Sequence, residues 1–501
     1  MNLGELLRDT EVLELRGAEL EVRSLAYDSR RAGADALFFA IQGEHADGHE
    51  FISQVLKQGA IGVVSELPPP SDFPAAWVRV RTIRRAMAEV SRCFFGQPDL
   101  RLTLVGITGT NGKTTTAYLV QSICEAAGLK TGLFGTIENR VGNRVIPALH
   151  TTPESLDLAG YLAELVRSGG QAAAVEVSSH ALAQDRVWGF QFAAAVFTNL
   201  TGDHLDFHKD MEHYFAAKRR LFEGAGTPPP ELAVINLDDP WGKLLLDAGN
   251  PRQITYAVES NAEVRARHFS QEPAGMKIAL AIREDRFDIE SSLIGRANVE
   301  NILAAVAVAD GLGIDREKIK EGVLRLKQVP GRFEKVDEGQ PFLVIVDYAH
   351  THDALRSALK TAREFTEGRL IVVFGCGGDR DRSKRPMMGE VAGNLSDWVV
   401  LTSDNPRTED PILIMNDVMV GLQKSGRAYR AEVDREAAIR KALEQAREGD
   451  TVLIAGKGHE STQVLSDCSV LFDDRQVARS VLLEMGFHPI PGEPLPGSAR
   501  S

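Results

Sequence analysis

The sequence predicts an α/β protein with three domains. Its 501 residues correspond to about three domains of roughly 150 residues each. Short apolar or β-branched runs alternate with helical patterns along most of the chain, which favours mainly parallel sheets with helices on both faces. Turns rich in glycine and charged residues follow many of these runs, and open α/β sheets bind their ligands at that edge.

Two boundaries divide the chain, one near residue 98 and one near residue 332. We predict a smaller N-terminal α/β domain over 1–98, with a helix at 83–95. A central P-loop domain over 99–332 is predicted to hold a mainly parallel sheet, and a Rossmann-like α/β domain to cover 333–501. Strands are expected at 102–107, 172–178, 193–198, 231–236, 342–347, 369–374, 397–402 and 451–455. The proline- and glycine-rich residues 489–498 are expected to form a loose tail.

The composition excludes several classes of protein. A hydrophobic content of 43% and a charged content of 25% are those of an ordinary globular protein. The net charge of −13 argues against a general nucleic-acid binder. The cysteines are too far apart for a disulfide framework, which favours a reducing compartment. Because the chain lacks a leader pattern and any apolar run of about 18 residues, we expect a cytoplasmic protein without membrane insertion.

The segment from Gly106 to Thr116 predicts a nucleoside triphosphate site. It follows an apolar strand and leads into a helical pattern, so its backbone N–H groups and the helix dipole would cradle phosphates. Lys113 would reach the β- and γ-phosphates, and the Thr114 hydroxyl would bind Mg²⁺. Ile107 occupies the position of the first glycine in the usual pattern, and an ordinary glycine-rich turn is the alternative.

Glu176 follows the apolar run 172–175 and is a candidate Mg²⁺ ligand, because this cation prefers carboxylate and phosphate oxygens. The alternative is a helix capped by Ser178 or Ser179, with Glu176 in solvent.

The region after the strand at 193–198 contains a second group of candidate metal ligands. His204 and His208 are four residues apart and on a helix would share one face, which raises the possibility of zinc. A histidine that binds a metal beside Mg²⁺ and phosphates is the favoured interpretation. Lys218 adjoins Arg219 and Arg220, so the sequence alone favours a solvated basic face.

Four strands of the C-terminal region end in polar motifs. These motifs begin at Asp347, Gly375, Asp404 and Gly456. Arginine side chains in the motif that begins at Gly375 suit carboxylates, which they bind bidentately. Each motif alone is compatible with a plain turn, but together they indicate one shared pocket.

Together these motifs resemble the Mur ligases of peptidoglycan synthesis, over nearly the whole chain from Asp28 to Glu460. The loop 109–114 is shared with related amide ligases such as folylpolyglutamate synthase, whereas the motif 404–407 accompanies the members that add diaminopimelate. The resemblance implies an ATP-dependent, ADP-forming ligase that uses Mg²⁺. It implies that meso-2,6-diaminopimelate is joined to UDP-N-acetylmuramoyl-L-alanyl-D-glutamate through an acyl phosphate. We expect a monomer.

The resemblance also implies roles for residues at matching positions. Those implied in catalysis are Lys113, His204 and Lys218. Those implied in ATP binding are Gly109, Thr110, Asn111, Gly112, Lys113, Thr114, Thr115, Asn298, Asn301, Arg332 and Asp347. Those implied in binding the UDP-muramoyl dipeptide are Ser29, Gly43, Asp47, Thr151, Thr152, Ser178, Gln184, Arg186 and Lys218. Those implied in binding diaminopimelate are Arg380, Asp404, Asn405, Pro406, Arg407, Gly456 and Glu460.

Two further positions follow from the resemblance. Lys218 matches a lysine that is carbamylated in the family, which would make it an oxygen ligand of Mg²⁺ beside Thr114, Glu176 and His204. At residue 352 the family usually has proline, the residue favoured at the first helical position, whereas this chain has His352.

Two other functions compete with this interpretation. A folylpolyglutamate synthase or an L-lysine-adding ligase would share the central domain, but residues 28–30 and 404–407 speak against both. A P-loop regulatory NTPase would release phosphate without any amino acid.

Overall fold

The computed structural model describes residues 1–43 and 46–488, and three large sheets follow one another along this part of the chain, with a fourth, two-stranded sheet at 462–471. The α/β class and the three-domain arrangement are confirmed, while the boundaries at 98 and 332 stay predictions. The expected tail at 489–498 lies outside the described residues. No helix within the described ranges is long and apolar enough to cross a membrane.

The N-terminal sheet has five strands in the order β1-β5-β4-β3-β2, with only β1 antiparallel to its neighbour. Its elements are α1 (Leu3–Leu6), β1 (Val12–Arg16), β2 (Ser24–Ala26), β3 (Ala36–Phe39), α2 (Ile52–Lys57), β4 (Gly62–Ser65), β5 (Ala76–Val80) and α3 (Ile83–Phe94). Helix α3 confirms the helix predicted at 83–95. Its side chains Ile83, Met87 and Val90, at helical spacing, are buried in the core of this sheet.

The central sheet has eleven strands in the order β16-β15-β14-β13-β12-β11-β6-β10-β7-β8-β9. Its strands are β6 (Thr103–Thr108), β7 (Thr131–Phe134), β8 (Glu138–Val141), β9 (Arg144–Pro147), β10 (Ala172–Glu176), β11 (Ala194–Phe197), β12 (Leu232–Asn236), β13 (Arg252–Ala257), β14 (Val264–Glu272), β15 (Gly275–Ile282) and β16 (Asp285–Ser291). The four strands predicted here correspond to β6, β10, β11 and β12. The antiparallel strands at the two ends of the sheet were not predicted.

Helices cover both faces of the central sheet, as predicted. They are α4 (Lys113–Ala126), α5 (Ser155–Arg167), α6 (Ser179–Ala183), α7 (Leu205–His208), α8 (Met211–Glu223), α9 (Pro240–Lys243), α10 (Arg296–Gly311) and α11 (Arg316–Arg325). Apolar residues of α4 and α10 form the core on one face, and those of α5 and α8 form the core on the other.

The C-terminal sheet has six strands in the order β17-β18-β22-β19-β20-β21, parallel except for β17. The elements of this region are β17 (Glu334–Lys335), β18 (Leu343–Asp347), α12 (His352–Glu364), β19 (Leu370–Phe374), α13 (Lys384–Leu395), β20 (Trp398–Thr402), α14 (Pro411–Ser425), β21 (Tyr429–Glu432), α15 (Arg435–Gln445), β22 (Thr451–Ala455), β23 (Thr462–Val464), β24 (Ser469–Leu471) and α16 (Asp474–Glu484). The four predicted strands correspond to β18, β19, β20 and β22.

Helix α12 begins without the proline that is usual in the family. His352 is its first residue, and Thr351 caps the helix because its hydroxyl accepts a hydrogen bond from the Ala354 N–H at 3.2 Å. The threonine cap therefore forms with histidine rather than proline at the first helical position.

Candidate active site

The loop between β6 and α4 is held in a shape that only glycine adopts at two positions. Gly109 and Gly112 have φ values of 147° and 87°. A Cβ atom at Gly109 would lie 1.8 Å from Thr198 Oγ1, and one at Gly112 would lie 2.3 Å from Asn301 Oδ1. The loop is therefore pressed against the end of β11 and against α10, and it leads directly into the N-terminus of α4.

Two lysines converge on this loop. Lys113 Nζ donates to the carbonyls of Gly109 and Thr110 at 3.0 and 2.8 Å, and Lys218 Nζ donates to the same Gly109 carbonyl at 2.8 Å. Lys218 is only 1% exposed and lies 4.5 Å from the centre of the Tyr214 ring. Burial, together with repulsion from Lys113, lowers the pKa of Lys218 well below its usual value. The prediction of a solvated basic face is wrong for Lys218, because α8 turns this side chain inward.

Glu176 is buried at the end of β10 and is surrounded by donors. Its Oε2 accepts from the Thr114 and Thr136 hydroxyls at 3.0 and 2.9 Å, and its Oε1 accepts from the Thr136 N–H at 2.9 Å. Ser178 does cap α6, as the alternative held, but Glu176 is 1% exposed rather than in solvent. Thr136 was not identified as a site residue from the sequence, because a single threonine after a short strand does not indicate a function.

The histidines lie beside Lys218 but do not share a helical face. His204 has a left-handed backbone with φ of 55°, and α7 begins only after it. Its ring is 4.7 Å from that of His180, whereas His208 Nε2 lies 2.9 Å from Ser179 Oγ. Burial is the main cause that lowers the pKa of both His204 and His208 to about 4, so both are neutral at pH 7. Within residues 1–43 and 46–488, no three His, Cys, Asp or Glu side chains converge as a metal site.

Helix α10 brings two of the predicted ATP-binding residues to the loop. Asn301 Nδ2 donates to Asn298 Oδ1 at 3.1 Å, and Asn301 Oδ1 accepts from the Thr116 hydroxyl at 3.4 Å. Because Asn301 also lies directly against Gly112, the two amides are connected to the phosphate loop although they are far from it in sequence.

Arg332 connects the central and C-terminal sheets at the same place. Its Nη2 donates to the Thr114 hydroxyl at 3.1 Å, and its guanidinium lies 4.6 Å from the centre of the Tyr348 ring. Asp347 holds the segment that carries Arg332, because its Oδ2 accepts from the Phe333 N–H at 2.7 Å. Burial raises the pKa of Asp347 above its ordinary value.

The residues predicted to bind the dipeptide in the central domain are found together next to Glu176. Thr152 donates its hydroxyl to the Glu176 carbonyl at 2.8 Å and accepts from the Ser178 N–H at 3.0 Å. Arg186 donates to the Thr152 carbonyl at 3.0 Å and to Gln184 Oε1 at 2.9 Å. Thr151 precedes this group, and its Oγ1 lies 3.2 Å from Thr136 Oγ1.

Ser29 lies in a turn that is fastened to the central domain. On either side of it, the Tyr27 hydroxyl and the Arg31 guanidinium both donate to the Asp157 carboxylate in the first turn of α5. The half-buried Ser29 is therefore held near the face of the central domain that carries the dipeptide group.

Gly43 and Asp47 flank two residues outside the described part of the chain. Asp47 Oδ1 accepts from the His49 N–H at 3.0 Å and lies 2.6 Å from His49 Nδ1, while His49 Nε2 lies 2.7 Å from Ser65 Oγ. The Gly43 N–H donates to the Ala46 carbonyl at 2.9 Å. In this structure the Asp47 carboxylate therefore stabilises its own turn.

The ends of β20 and β22 form a second polar pocket. Asn405 Nδ2 donates to Glu460 Oε2 at 2.7 Å, and Asn405 Oδ1 accepts from Lys457 Nζ at 3.0 Å. Gly456 has a φ of 116°, and a Cβ atom there would lie 2.5 Å from Asp404 Oδ2. The motifs 404–407 and 456–460 are thus interlocked by side-chain contacts.

Two arginines that were predicted to bind the amino acid lie on loops beside this pocket. Arg407 has a left-handed backbone with φ of 53°, and its Nη1 donates to the Gly378 carbonyl at 2.7 Å. Arg380 donates to the Asp379 carbonyl at 2.8 Å. Burial and then repulsion by Arg380 lower the pKa of Arg407. The loops touch closely, because a Cβ atom at Gly378 would lie 1.9 Å from the Pro406 carbonyl oxygen.

Two buried arginines support this pocket, and neither was predicted. Arg385, 1% exposed, donates to Glu409 at 2.8 Å, and Glu409 also accepts from the Asp379 N–H at 2.6 Å. Hydrogen bonding to Arg385 is the main cause that lowers the pKa of Glu409 to about 2. Arg435 pairs with Asp474 at 2.7 Å and donates to the carbonyls that precede Asp404 and Gly456. Arg385 belongs to the motif that begins at Gly375, whereas nothing around Arg435 in the sequence signals its role.

Comparison with known proteins identifies the family. Three family models match consecutive parts of the chain: the "Mur ligase family, catalytic domain" at 21–93, the "Mur ligase middle domain" at 107–309 and the "Mur ligase, glutamate ligase domain" at 331–458.

Similar relatives carry one name, UDP-N-acetylmuramoyl-L-alanyl-D-glutamate--2,6-diaminopimelate ligase. The protein of that name from Solibacter usitatus is 54% identical over 97% of this chain and 99% of its own. The one from Geobacillus thermodenitrificans is 45% identical over 94% and 96%. A solved structure with this name is 34% identical, with a TM-score of 0.68 over 97% and 99% of the two chains. MurF from Acinetobacter baumannii, 20% identical with a TM-score of 0.67 over 91% and 95%, shares the fold. The chain belongs to the Mur ligase family.

Proposed function

We propose that this chain is an ATP-dependent, ADP-forming ligase that joins meso-2,6-diaminopimelate to UDP-N-acetylmuramoyl-L-alanyl-D-glutamate in peptidoglycan precursor synthesis. The observation that carries the proposal is the C-terminal pocket. The side chains of Arg407 and Arg380 meet at Gly377, where a Cβ atom would lie 3.0 Å from Arg407 Nη1 and 4.0 Å from Arg380 Cγ, and the pKa of Arg407 responds to the charges of Asp404 and Glu460. A free amino-acid end group, with one carboxylate and one ammonium, is complementary to this arrangement.

The phosphate loop supplies the activation that amide formation needs. A carboxylate does not react with an amine at neutral pH, because oxide is a poor leaving group. Transfer of the γ-phosphoryl group of ATP to the D-glutamate γ-carboxylate gives an acyl phosphate and ADP. Lys113 and the loop N–H groups would stabilise charge on the transferring phosphoryl group. The amine of diaminopimelate then attacks the acyl carbon, and phosphate leaves.

The residues around Glu176 fit a magnesium ion. The Thr114 hydroxyl and Glu176 Oε2 are hard oxygen donors 3.0 Å apart, of the type that Mg²⁺ prefers. We propose that Thr114, Glu176, His204 and Lys218, as its carbamate, hold Mg²⁺, which when bound neutralises phosphate charge. The lowered pKa of Lys218 supports carbamylation, since only an unprotonated amine adds CO₂.

The remaining assignments follow the location of each group. We propose that Asn298, Asn301, Arg332 and Asp347 complete the ATP site around residues 109–115. The UDP-muramoyl dipeptide would extend from Ser29, Gly43 and Asp47 to the group next to Glu176, namely Thr151, Thr152, Ser178, Gln184 and Arg186. The amino acid would contact Arg380, residues 404–407, Gly456 and Glu460. We further propose that the enzyme works in the cytoplasm as a monomer.

Phosphate release tests the proposal. The purified chain is given ATP, Mg²⁺ and UDP-N-acetylmuramoyl-L-alanyl-D-glutamate, together with meso-diaminopimelate, L-lysine or no amino acid. We expect release that requires both the dipeptide and diaminopimelate. Equal release with L-lysine would keep the ligase but reject the role of Arg407, and release without an acceptor would indicate a regulatory NTPase.

A further inference from the structure

Lys457 is the fully buried lysine of the amino-acid pocket, with 0% of its surface exposed. Its Nζ donates to Asn405 Oδ1 at 3.0 Å, to Glu460 Oε2 at 3.2 Å and to the Thr462 carbonyl at 2.7 Å. An ammonium group has three N–H donors, so these three acceptors use all of them. Lys457 therefore has neither the exposure nor a free donor with which to bind a ligand itself.

Lys457 fixes which way the Asn405 amide points. The Asn405 oxygen accepts from Lys457 Nζ and from the Val464 N–H at 2.9 Å, which occupies both of its lone pairs. A flipped amide would place its NH₂ group against these two donors. The NH₂ group is therefore directed to Glu460, where it donates at 2.7 Å.

The same contacts leave one oxygen of Glu460 available. Its Oε2 accepts from both Asn405 and Lys457, whereas its Oε1 accepts no hydrogen bond from the residues that the structure describes. The side chain is 29% exposed. A carboxylate oriented in this way can present Oε1 to a ligand cation.

We propose that Lys457 is a positioning residue for the amino-acid substrate: it locks the Asn405 amide and Glu460 Oε2 so that Glu460 Oε1 meets a substrate ammonium group. This inference rests on the proposed ligase function and extends it to a residue that no assignment above includes. Without Lys457, only the Val464 N–H still fixes the Asn405 oxygen and only the Asn405 amide still holds Glu460 Oε2, so both side chains are less ordered. Ordering these groups would then have to accompany substrate binding.

The test is the Michaelis constant for each substrate in phosphate-release assays. For Lys457→Met we expect the KM for diaminopimelate to rise about tenfold or more, since hydrogen bonds to charged groups are lost. The KM values for ATP and for the UDP-muramoyl dipeptide should stay within about twofold. Lys457→Gln keeps neutral donors for Asn405 and Thr462 but not the charge beside Glu460, so its effect should be smaller.

The control is Lys441→Met. Lys441 is also paired with a glutamate, Glu432, but at the edge of the sheet near β21, and all three KM values should be unchanged. If wild-type enzyme does not use diaminopimelate, the proposed function fails and this inference with it. If wild-type enzyme is active and Lys457→Met leaves the KM for diaminopimelate unchanged, or raises all three KM values together, only this inference fails. Loss of folding in both Lys457 variants would make the residue purely structural and would also overturn it.

Discussion

Replacing Lys113 with methionine tests the phosphate loop, because the change removes the ammonium group but keeps a long unbranched side chain at the first residue of α4. Loss of one preorganised donor to a developing anionic charge costs about 3–4 kcal/mol, so kcat should fall by roughly 10²–10³. Stability should change little. Lys113 gives up two hydrogen bonds to loop carbonyls, each worth about 1 kcal/mol net. Its removal also relieves the repulsion that lowers the pKa of Lys218.

The assay is steady-state phosphate release with saturating substrates, together with thermal unfolding of the same samples. Lys130→Met is a matched control, because Lys130 is an exposed lysine of the same domain whose Nζ donates to the Ser168 carbonyl at 3.4 Å. We expect it to retain wild-type turnover. A Lys113→Met enzyme with near-normal kcat would refute the assignment. A large fall in the unfolding temperature would show instead that Lys113 acts through the fold.

Three further predictions concern the neighbouring groups. Arg407→Met should raise the KM for diaminopimelate about tenfold or more, since charged hydrogen bonds are worth about 1.5–3 kcal/mol, while the KM for ATP stays constant; unchanged diaminopimelate affinity would contradict the assigned role. Thr136→Val removes the hydroxyl that donates to Glu176 at 2.9 Å. The Mg²⁺ concentration needed for the half-maximal rate should therefore rise severalfold, and an unshifted titration curve would argue against this role of Thr136. Arg385→Met concerns Glu409, whose pKa is lowered from 4.5 to about 2. A carboxyl group whose pKa is lower in the folded state stabilises the fold at pH values above its unfolded pKa. This stabilisation is lost as the pH falls towards the folded-state pKa. The wild-type advantage in urea unfolding should therefore shrink between about pH 5 and pH 2, and a constant difference would count against the pair.

Much of the fold could be predicted from local patterns. Parallel strands buried on both faces are continuous apolar runs, so β6, β10, β11 and β12 were predicted to within two residues at each end. The antiparallel strands β14 to β16 were missed, although they are longer. Their alternating exposed residues, such as those of β14, lack the apolar continuity on which the prediction relied.

The residues of the candidate site also fall into those that local sequence patterns predict and those that they do not. Glycines 109 and 112, Lys113 and the polar residues at strand ends are visible in sequence, because strand, turn and helix follow one another there. The buried position of Lys218 cannot be recognised from the neighbouring sequence. Its sequence neighbours are arginines, and only the packing of α8 against the phosphate loop buries its amine.

The sequence by itself determined the α/β class, the phosphate loop and the groups of polar residues at the carboxyl ends of strands, because each of these depends on contacts within a few residues. Only the tertiary structure decided that Thr136 holds Glu176, that Arg332 reaches Thr114 and that Lys457 orients Asn405. These pairs are 40, 218 and 52 residues apart. Their chemistry arises from burial and from donors brought by distant segments, and no local pattern in one sequence encodes which segments will meet.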